Sequence, residues 1–384
     1  MTSKISRWEL FRVAPRWLFL RLETDDGVVG WGEPIVEGMT SETEIAVEAM
    51  MSKLINWDTS RIEDAWQLLY RGGFYRGGPI LSSALSGIDQ ALWDIRGKQL
   101  GVPIYELLGG SVRDKVRVYS WISGENSEEL TLSLESAVKN GALAVKMNGG
   151  GRMRFIETPK MIETIVANAR LARNILGPER EFAIDFHGRF SASAARIVLK
   201  ELEEFRPMFV EEPVIPELAK QTLHTIISGT TIPIALGERV YDRWEFLPLL
   251  QQGLAIVQPD ASHAGGISEL RRIGSLAETF GASLAPHCPL GPIALAACLQ
   301  VDLNTPNFLI QEHSLGIHYN NSTSPLDYLV DTKVLEITDG HILRPTKPGL
   351  GIDVDELAVR AAAKIGQDWK SPTWRHDDGS LAEW

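Results

Sequence analysis

Cysteine is scarce: Cys288 and Cys298 are the only two in 384 residues. Two thiols cannot build the disulfide framework of a secreted domain, so both are expected free. Long hydrophobic runs are also missing, since no stretch approaches the roughly 20 apolar residues that cross a bilayer. The first ten residues lack an apolar core followed by a small-residue cleavage site, which predicts a cytoplasmic protein. Without a secretion signal, the sequons at Asn320 and Asn321 carry no weight. Positive charge is in the minority, with 38 Lys and Arg against 50 Asp and Glu and a net charge of −12. Nucleic acids and acidic membranes are bound through dense Lys and Arg clusters, and none appears here. No internal repeat at the periods of solenoids or propellers stands out.

What is present is an ordinary globular composition, 44% hydrophobic, in a chain long enough for two domains at roughly 150 residues each. Residues 5–34 are β-branched and aromatic, broken by Asp25, Asp26 and Gly27, and read as an antiparallel meander turning at that point. Helical patterns follow over 41–55, 61–71 and 81–98, completing an α+β head. From about 116 the rhythm becomes short apolar strands alternating with helices. Eight strands are predicted: 116–122, 142–148, 182–187, 208–212, 232–238, 256–260, 283–287 and 308–312. Apolar runs ending in polar residues suit doubly buried parallel strands, and eight such units make a (β/α)8 TIM-type barrel. The expected division is 1–112 head, 113–330 barrel, and 331–384 a tail returning to the head.

In a parallel barrel all strand C-termini open on one face, where their terminal side chains meet. Here those ends are acids and histidines. Asp185, Glu211 and Glu238 lie one βα unit apart and can bring three carboxylates to one point. Three such charges repel unless a cation joins them, and an all-oxygen set favours Mg²⁺ over zinc. Any one of these acids alone could instead cap a helix or pair with Arg189 or Arg239. His187, two residues after Asp185, is predicted on the same side of an extended strand. His287 approaches from the other flank with Asp260 between, and a carboxylate bonded to imidazole fixes its tautomer and raises its basicity. Lys146 and Asn148 end the second strand on one side; the electrostatic role for Lys146 is favoured over a Schiff base. Glu312 is either an acid with a raised pKa or a partner for Lys146. Gly149-Gly-Gly151 has no nucleotide-loop spacing. Trp31-Gly-Glu-Pro34 and the Gly-rich 72–78 segment read as turns or as walls over the barrel mouth.

The segments DFHGR, EEPV, GERV, QPDASHAGGI, APHCPLGPIALAACL, GIHYN, KPGLG and WRHDDGSLAEW, together with this order of carboxylates and histidines, resemble the enolase superfamily. Within it the chain is similar to the galactonate dehydratases of the mandelate racemase/muconate lactonizing enzyme type. The resemblance implies a (β/α)7β barrel with a capping domain completed by the C-terminal tail. It implies one Mg²⁺ on Asp185, Glu211 and Glu238, His287 as base with Asp260 raising its basicity, and His187 as general acid. Glu312 is then the stabiliser of the enolic intermediate, and Lys146 and Asn148 contact the substrate. Many relatives carry a second strand-two lysine as a base; Asn148 stands there instead, which leaves His287 to take the C2 proton. The implied reaction is Mg²⁺-dependent loss of water from D-galactonate by a homo-oligomer. Rivals are dehydration of another aldonate or aldarate, racemisation, a Schiff-base aldolase, and a non-catalytic member of the fold.

Overall fold

The structure, a computed structural model, describes residues 3–124, 126–317, 320 and 323–384. Asn321 and Ser322 of the sequons, and His318 and Tyr319 of the GIHYN segment, lie outside this set.

The head begins with β1 (Ile5–Val13), β2 (Trp17–Thr24) and β3 (Val29–Gly32), an antiparallel meander. Its second turn falls at Asp25–Gly27, where Gly27 supplies the positive φ of 84° that closes it. Three helices cover the sheet: α1 (Thr40–Met51), α2 (Ile62–Arg71) and the long α3 (Gly78–Leu100), which Gly101 stops in the left-handed conformation. Helix α3 lies unusually close to β3. A Cβ at Gly30 or Gly32 would collide with the backbone oxygens of Ala91 and Gly87, so the WGEP segment is glycine-bearing because a helix rests on it. A short α4 (Ile104–Leu108) leads into the barrel.

The barrel strands are β4 (Lys115–Trp121), β5 (Ala144–Asn148), β6 (Glu181–Asp185), β7 (Val210–Glu211), β8 (Ile234–Leu236), β9 (Ile256–Val257), β10 (Ser283–Leu284) and β11 (Gln311–Glu312). Consecutive strands from β4 to β10 pair in parallel. A parallel bridge from Leu284 to Phe308 and the parallel β11–β4 pair close the ring. Between the strands run α5 (Ser127–Lys139), α6 (Pro159–Leu176), α7 (Ala192–Leu202), α8 (Pro216–Ile227), α9 (Arg243–Gln251), α10 (Gly266–Thr279) and α11 (Pro292–Asn304). Among the described residues, eight strands with seven intervening helices give the (β/α)7β form. The interior is filled by Tyr119, Phe209, Ile256, Ile310 and the small residues Ala144, Ala183, Ala235 and Ala285. Large side chains face small ones, so this is a packed plug rather than a channel.

Several strands are shorter than the sequence pattern suggests. Their last polar residues leave the ladder because the chain turns outward at the mouth: His187 and Glu212 have φ of 50° and 44°. His187 therefore stands in a left-handed turn beyond β6, a correction to its expected place on an extended strand.

Past the barrel, the hairpin β12 (Ile337–Thr338) and β13 (His341–Leu343) adds antiparallel to β4. Helix α12 (Glu356–Ile365) then packs on β1, with Arg360 forking onto Glu9 at 2.8 and 3.0 Å. The chain ends in a hairpin of β14 (Trp374–Arg375) and β15 (Leu381–Ala382). One buried apolar cluster runs from Phe11, Trp17 and Phe19 of the head through the barrel to Val359 of α12, so head, barrel and tail share a core. Among the described residues no helix is long and apolar enough to cross a membrane.

Candidate active site

The C-terminal ends of the barrel strands bring the acidic and imidazole groups together. Asp185 is the last residue of β6 and pairs in register with Asn148 on one side and Glu211 on the other. Glu238 follows β8 by two residues, after Gly237 at φ 150°. Asp260 and His287 form a parallel bridge between the ends of β9 and β10. Asp185, Glu211, Asp260 and Glu312 are fully buried or nearly so, while Asn148 is exposed at the rim.

Lys146 stands at the centre, completely buried. Its Nζ lies 2.6 Å from Glu211 Oε2, 3.0 Å from Glu312 Oε1 and 3.7 Å from Asp185 Oδ2, and 4.6 Å above the Trp121 ring. Burial opposes its charge, but Glu211 and Glu312 outweigh burial and hold the ammonium well above its usual pKa. A permanently protonated amine is no imine-forming nucleophile. Burial likewise opposes ionisation of Glu312, yet Lys146 and His287 hold it below the usual carboxylate range. Of its two sequence-based readings, the charged partner of Lys146 is the one this geometry matches.

On one flank His287 Nδ1–H donates to Asp260 Oδ2 at 2.8 Å, and its Nε2 lies 3.3 Å from Glu238. Burial works against its charge, but Glu312, Asp260 and Glu238 together raise it to about 10. On the other flank His187 stacks on Trp121, with centroids 5.9 Å apart, and its Nε2 is 3.2 Å from Asp185 Oδ2. Burial of the ring pushes this histidine down to about 3. Glu238, opposed by burial but drawn down by His287 and Arg239, stays ionised. Asp185 and Glu211 are raised, chiefly by burial. The Lys146 ammonium, 2.6 Å from Glu211, works against that rise. Arg239 pairs mainly with Glu212, at 2.8 Å, and touches Glu238 at 3.4 Å.

Among the described residues no three His, Cys, Asp or Glu side chains form a closed metal cage. The donor chemistry nevertheless fits a hard divalent cation. Asp185 Oδ2 and Glu211 Oε1 are buried without a hydrogen-bond partner, and orphaned carboxylate oxygens are what such an ion takes up. Positive charge added beside Glu238 also counters the field that keeps His287 protonated.

Sequence reasoning passed over several groups at this mouth. Trp121, at the end of β4, donates its indole N–H to Glu312 and carries His187 on its face; its place at a strand end was the available signal. Glu33 of the WGEP segment, fully buried and raised to about 8 chiefly by burial, accepts the Gly291 and Ala294 N–H groups at the start of α11. It clasps head to barrel rather than making a turn. The C-terminal hairpin lays Trp374 against Arg189, whose guanidinium carbon is 4.7 Å from the ring. A cavity of about 490 Å³ lies beneath that hairpin, bordered by Arg189, Phe155 and His376.

The family model described as enolase C-terminal domain-like matches residues 129–358, and that of the mandelate racemase/muconate lactonizing enzyme N-terminal domain matches 12–109. The D-galactonate dehydratase of Ralstonia pickettii is 50% identical over 382 residues, 99% of this chain and 100% of that protein. The D-galactonate dehydratase of Variovorax paradoxus is 49% identical over the same shares. Among solved structures, an Agrobacterium radiobacter enolase bound to sodium and L-malate superposes with a TM-score of 0.91 at 30% identity, covering 99% of this chain and 100% of that one.

Proposed function

The chain belongs to the mandelate racemase/muconate lactonizing enzyme family of enolase-type proteins, and from that premise we propose that it dehydrates D-galactonate to 2-dehydro-3-deoxy-D-galactonate. The observation that carries the reading is the pair of imidazoles set among the same strand-end carboxylates, His287 bonded to Asp260 and 3.3 Å from Glu238, His187 stacked on Trp121 and 3.2 Å from Asp185. Loss of water from adjacent carbons needs one group to take a proton and another to give one.

Asp185, Glu211 and Glu238 would hold Mg²⁺, the ion that enolase-superfamily sites use. When bound, it supplies the positive charge that makes a proton alpha to a carboxylate acidic enough for an imidazole. His287 Nε2 takes the C2 proton, while Asp260 holds Nδ1–H and so keeps Nε2 as the accepting nitrogen. Lys146, fixed by Glu211 and Glu312, offsets the negative charge that develops on the substrate. His187 gives a proton to the departing C3 hydroxyl, which leaves as water, and the enol product tautomerises to the 2-keto acid. This role requires the substrate complex to protonate the ring against the burial that lowers its pKa. Asn148, exposed at the rim, contacts the sugar chain. The enzyme works in the cytoplasm as a homo-oligomer.

The test is an assay of chelator-stripped protein over a panel of acid sugars, with and without Mg²⁺, detecting 2-keto-3-deoxy products. Mg²⁺-dependent turnover of D-galactonate alone is expected. Turnover of another aldonate instead corrects the substrate, and silence across the panel sinks the dehydratase reading.

A further inference from the structure

A second imidazole shares Asp260 with His287. His263 lies on the loop between β9 and α10, 7% exposed, and its ring meets that of His287 edge to face at 6.1 Å. Its Nε2 is 3.9 Å from Asp260 Oδ2 and 3.6 Å from Glu37 Oε2, with no hydrogen bond of ordinary length to either. Glu37 belongs to the head, on the loop between β3 and α1. Its other oxygen is held at 2.7 Å by Arg16, whose Nη2 donates to Pro289 O, two residues beyond His287. The contacts thus run from the Asp260 carboxylate through His263 to the head, and back through Arg16 to the strand end that carries His287.

The rest of this loop is gripped by the head through different atoms. Gln90 of α3 donates to Ala261 O at 2.8 Å and to Ser262 Oγ at 3.1 Å, and Ser86 Oγ accepts the Gly265 and Gly266 N–H groups. That grip fixes where the backbone lies. Asp260 Oδ1 is satisfied by the Ser262 N–H at 2.6 Å, which leaves Oδ2 to face both rings. His263 touches both the Asp260 carboxylate and the His287 ring.

We propose that His263 and Glu37 form a strut through which the head holds the Asp260–His287 pair in line. His263 is a positioning residue for proton abstraction, and Glu37 is its anchor on the head. An imidazole with its proton on Nε2 lies between two carboxylates of different domains and keeps them from pushing apart, while its edge backs the His287 ring. Seating of the head on the barrel thereby becomes part of aligning the base.

The inference rests on the dehydratase reading, and its test separates the two. Full-length wild type, His263→Ala, His263→Gln and Glu37→Gln are compared with Mg²⁺ on D-galactonate and on its C2-deuterated form, after thermal melts establish which variants are folded. For His263→Ala, kcat is expected to fall about tenfold to a hundredfold, the range seen when a group that orients a reacting residue is lost. KM stays close to wild type, and the isotope effect on kcat grows as proton abstraction becomes slower. His263→Gln returns an N–H near the Nε2 position and restores most of the rate. Glu37→Gln, of the same shape without the charge, moves kcat and the isotope effect in the same direction by less. A loss confined to KM, an unchanged isotope effect, or a Gln variant no better than Ala overturns the strut. A wild type inert towards galactonate overturns the dehydratase reading itself, whereas an active wild type with an unimpaired His263→Ala overturns only the strut.

Discussion

The flank of the mouth that carries His287 and the flank that carries His187 contain the same side chain in opposite surroundings. His287 sits at a strand end, fixed by a 2.8 Å bond to a buried carboxylate, with two more carboxylates within 4.0 Å. His187 sits two residues past its strand at positive φ, stacked on an indole, with a quarter of its side chain open to solvent. One is pushed up to about 10 and the other down to about 3. Residue type therefore says little about protonation here: the carboxylates around His287 overcome its desolvation and the surroundings of His187 do not. A cation on Asp185, Glu211 and Glu238 would counter the field that keeps the proton on His287.

The comparison breaks most visibly at His287. His287→Asn is expected to lower kcat by about 10²- to 10⁴-fold, the usual weight of a general base, and to abolish exchange of the C2 proton in deuterated water followed by NMR. Full exchange in that variant would move the base elsewhere. A smaller loss, of about 10²-fold, is expected for His187→Asn, with C2 exchange retained because only the departure of the hydroxyl is impaired. Loss of exchange in this variant as well would merge the two roles.

The smallest effect is on stability, measured by urea unfolding of chelator-treated protein from pH 4 to pH 10. His187 has a folded pKa near 3, below the unfolded value of about 6.5. Its contribution is present above that value and is lost as pH falls towards 3. His287 behaves in the opposite sense. Its folded pKa is near 10, so its contribution is full below the unfolded value and is lost as pH rises through 10. His187→Asn should flatten the acid limb and His287→Asn the alkaline limb. An identical response on both limbs would erase the distinction between the flanks.

Much of this mouth was legible in the sequence because barrel periodicity is a local signal. Asp185, Glu211 and Glu238 recur at one βα unit, and each does end or closely follow its strand. The alternation of eight apolar strands with helices was legible for the same reason, whereas the (β/α)7β form was implied by the family resemblance. The turn at His187 was not, because positive φ in a residue other than glycine is imposed by tertiary packing. Nor were the contacts between head and barrel. Glu33 meets Gly291 across 258 residues, and Gln90 meets Ala261 across 171. No spacing rule links such positions; only the folded chain brings them together.

Lys146 has a consequence for the life of the protein before it meets any metal. Its ammonium already lies among the carboxylates, at 2.6 Å from Glu211 and 3.0 Å from Glu312. Domains whose clustered ligands have no internal counter-charge fold only as the ion arrives, and chelators unfold them. Here the chain carries a counter-charge of its own at the barrel mouth, so the buried carboxylates are partly balanced from within the fold.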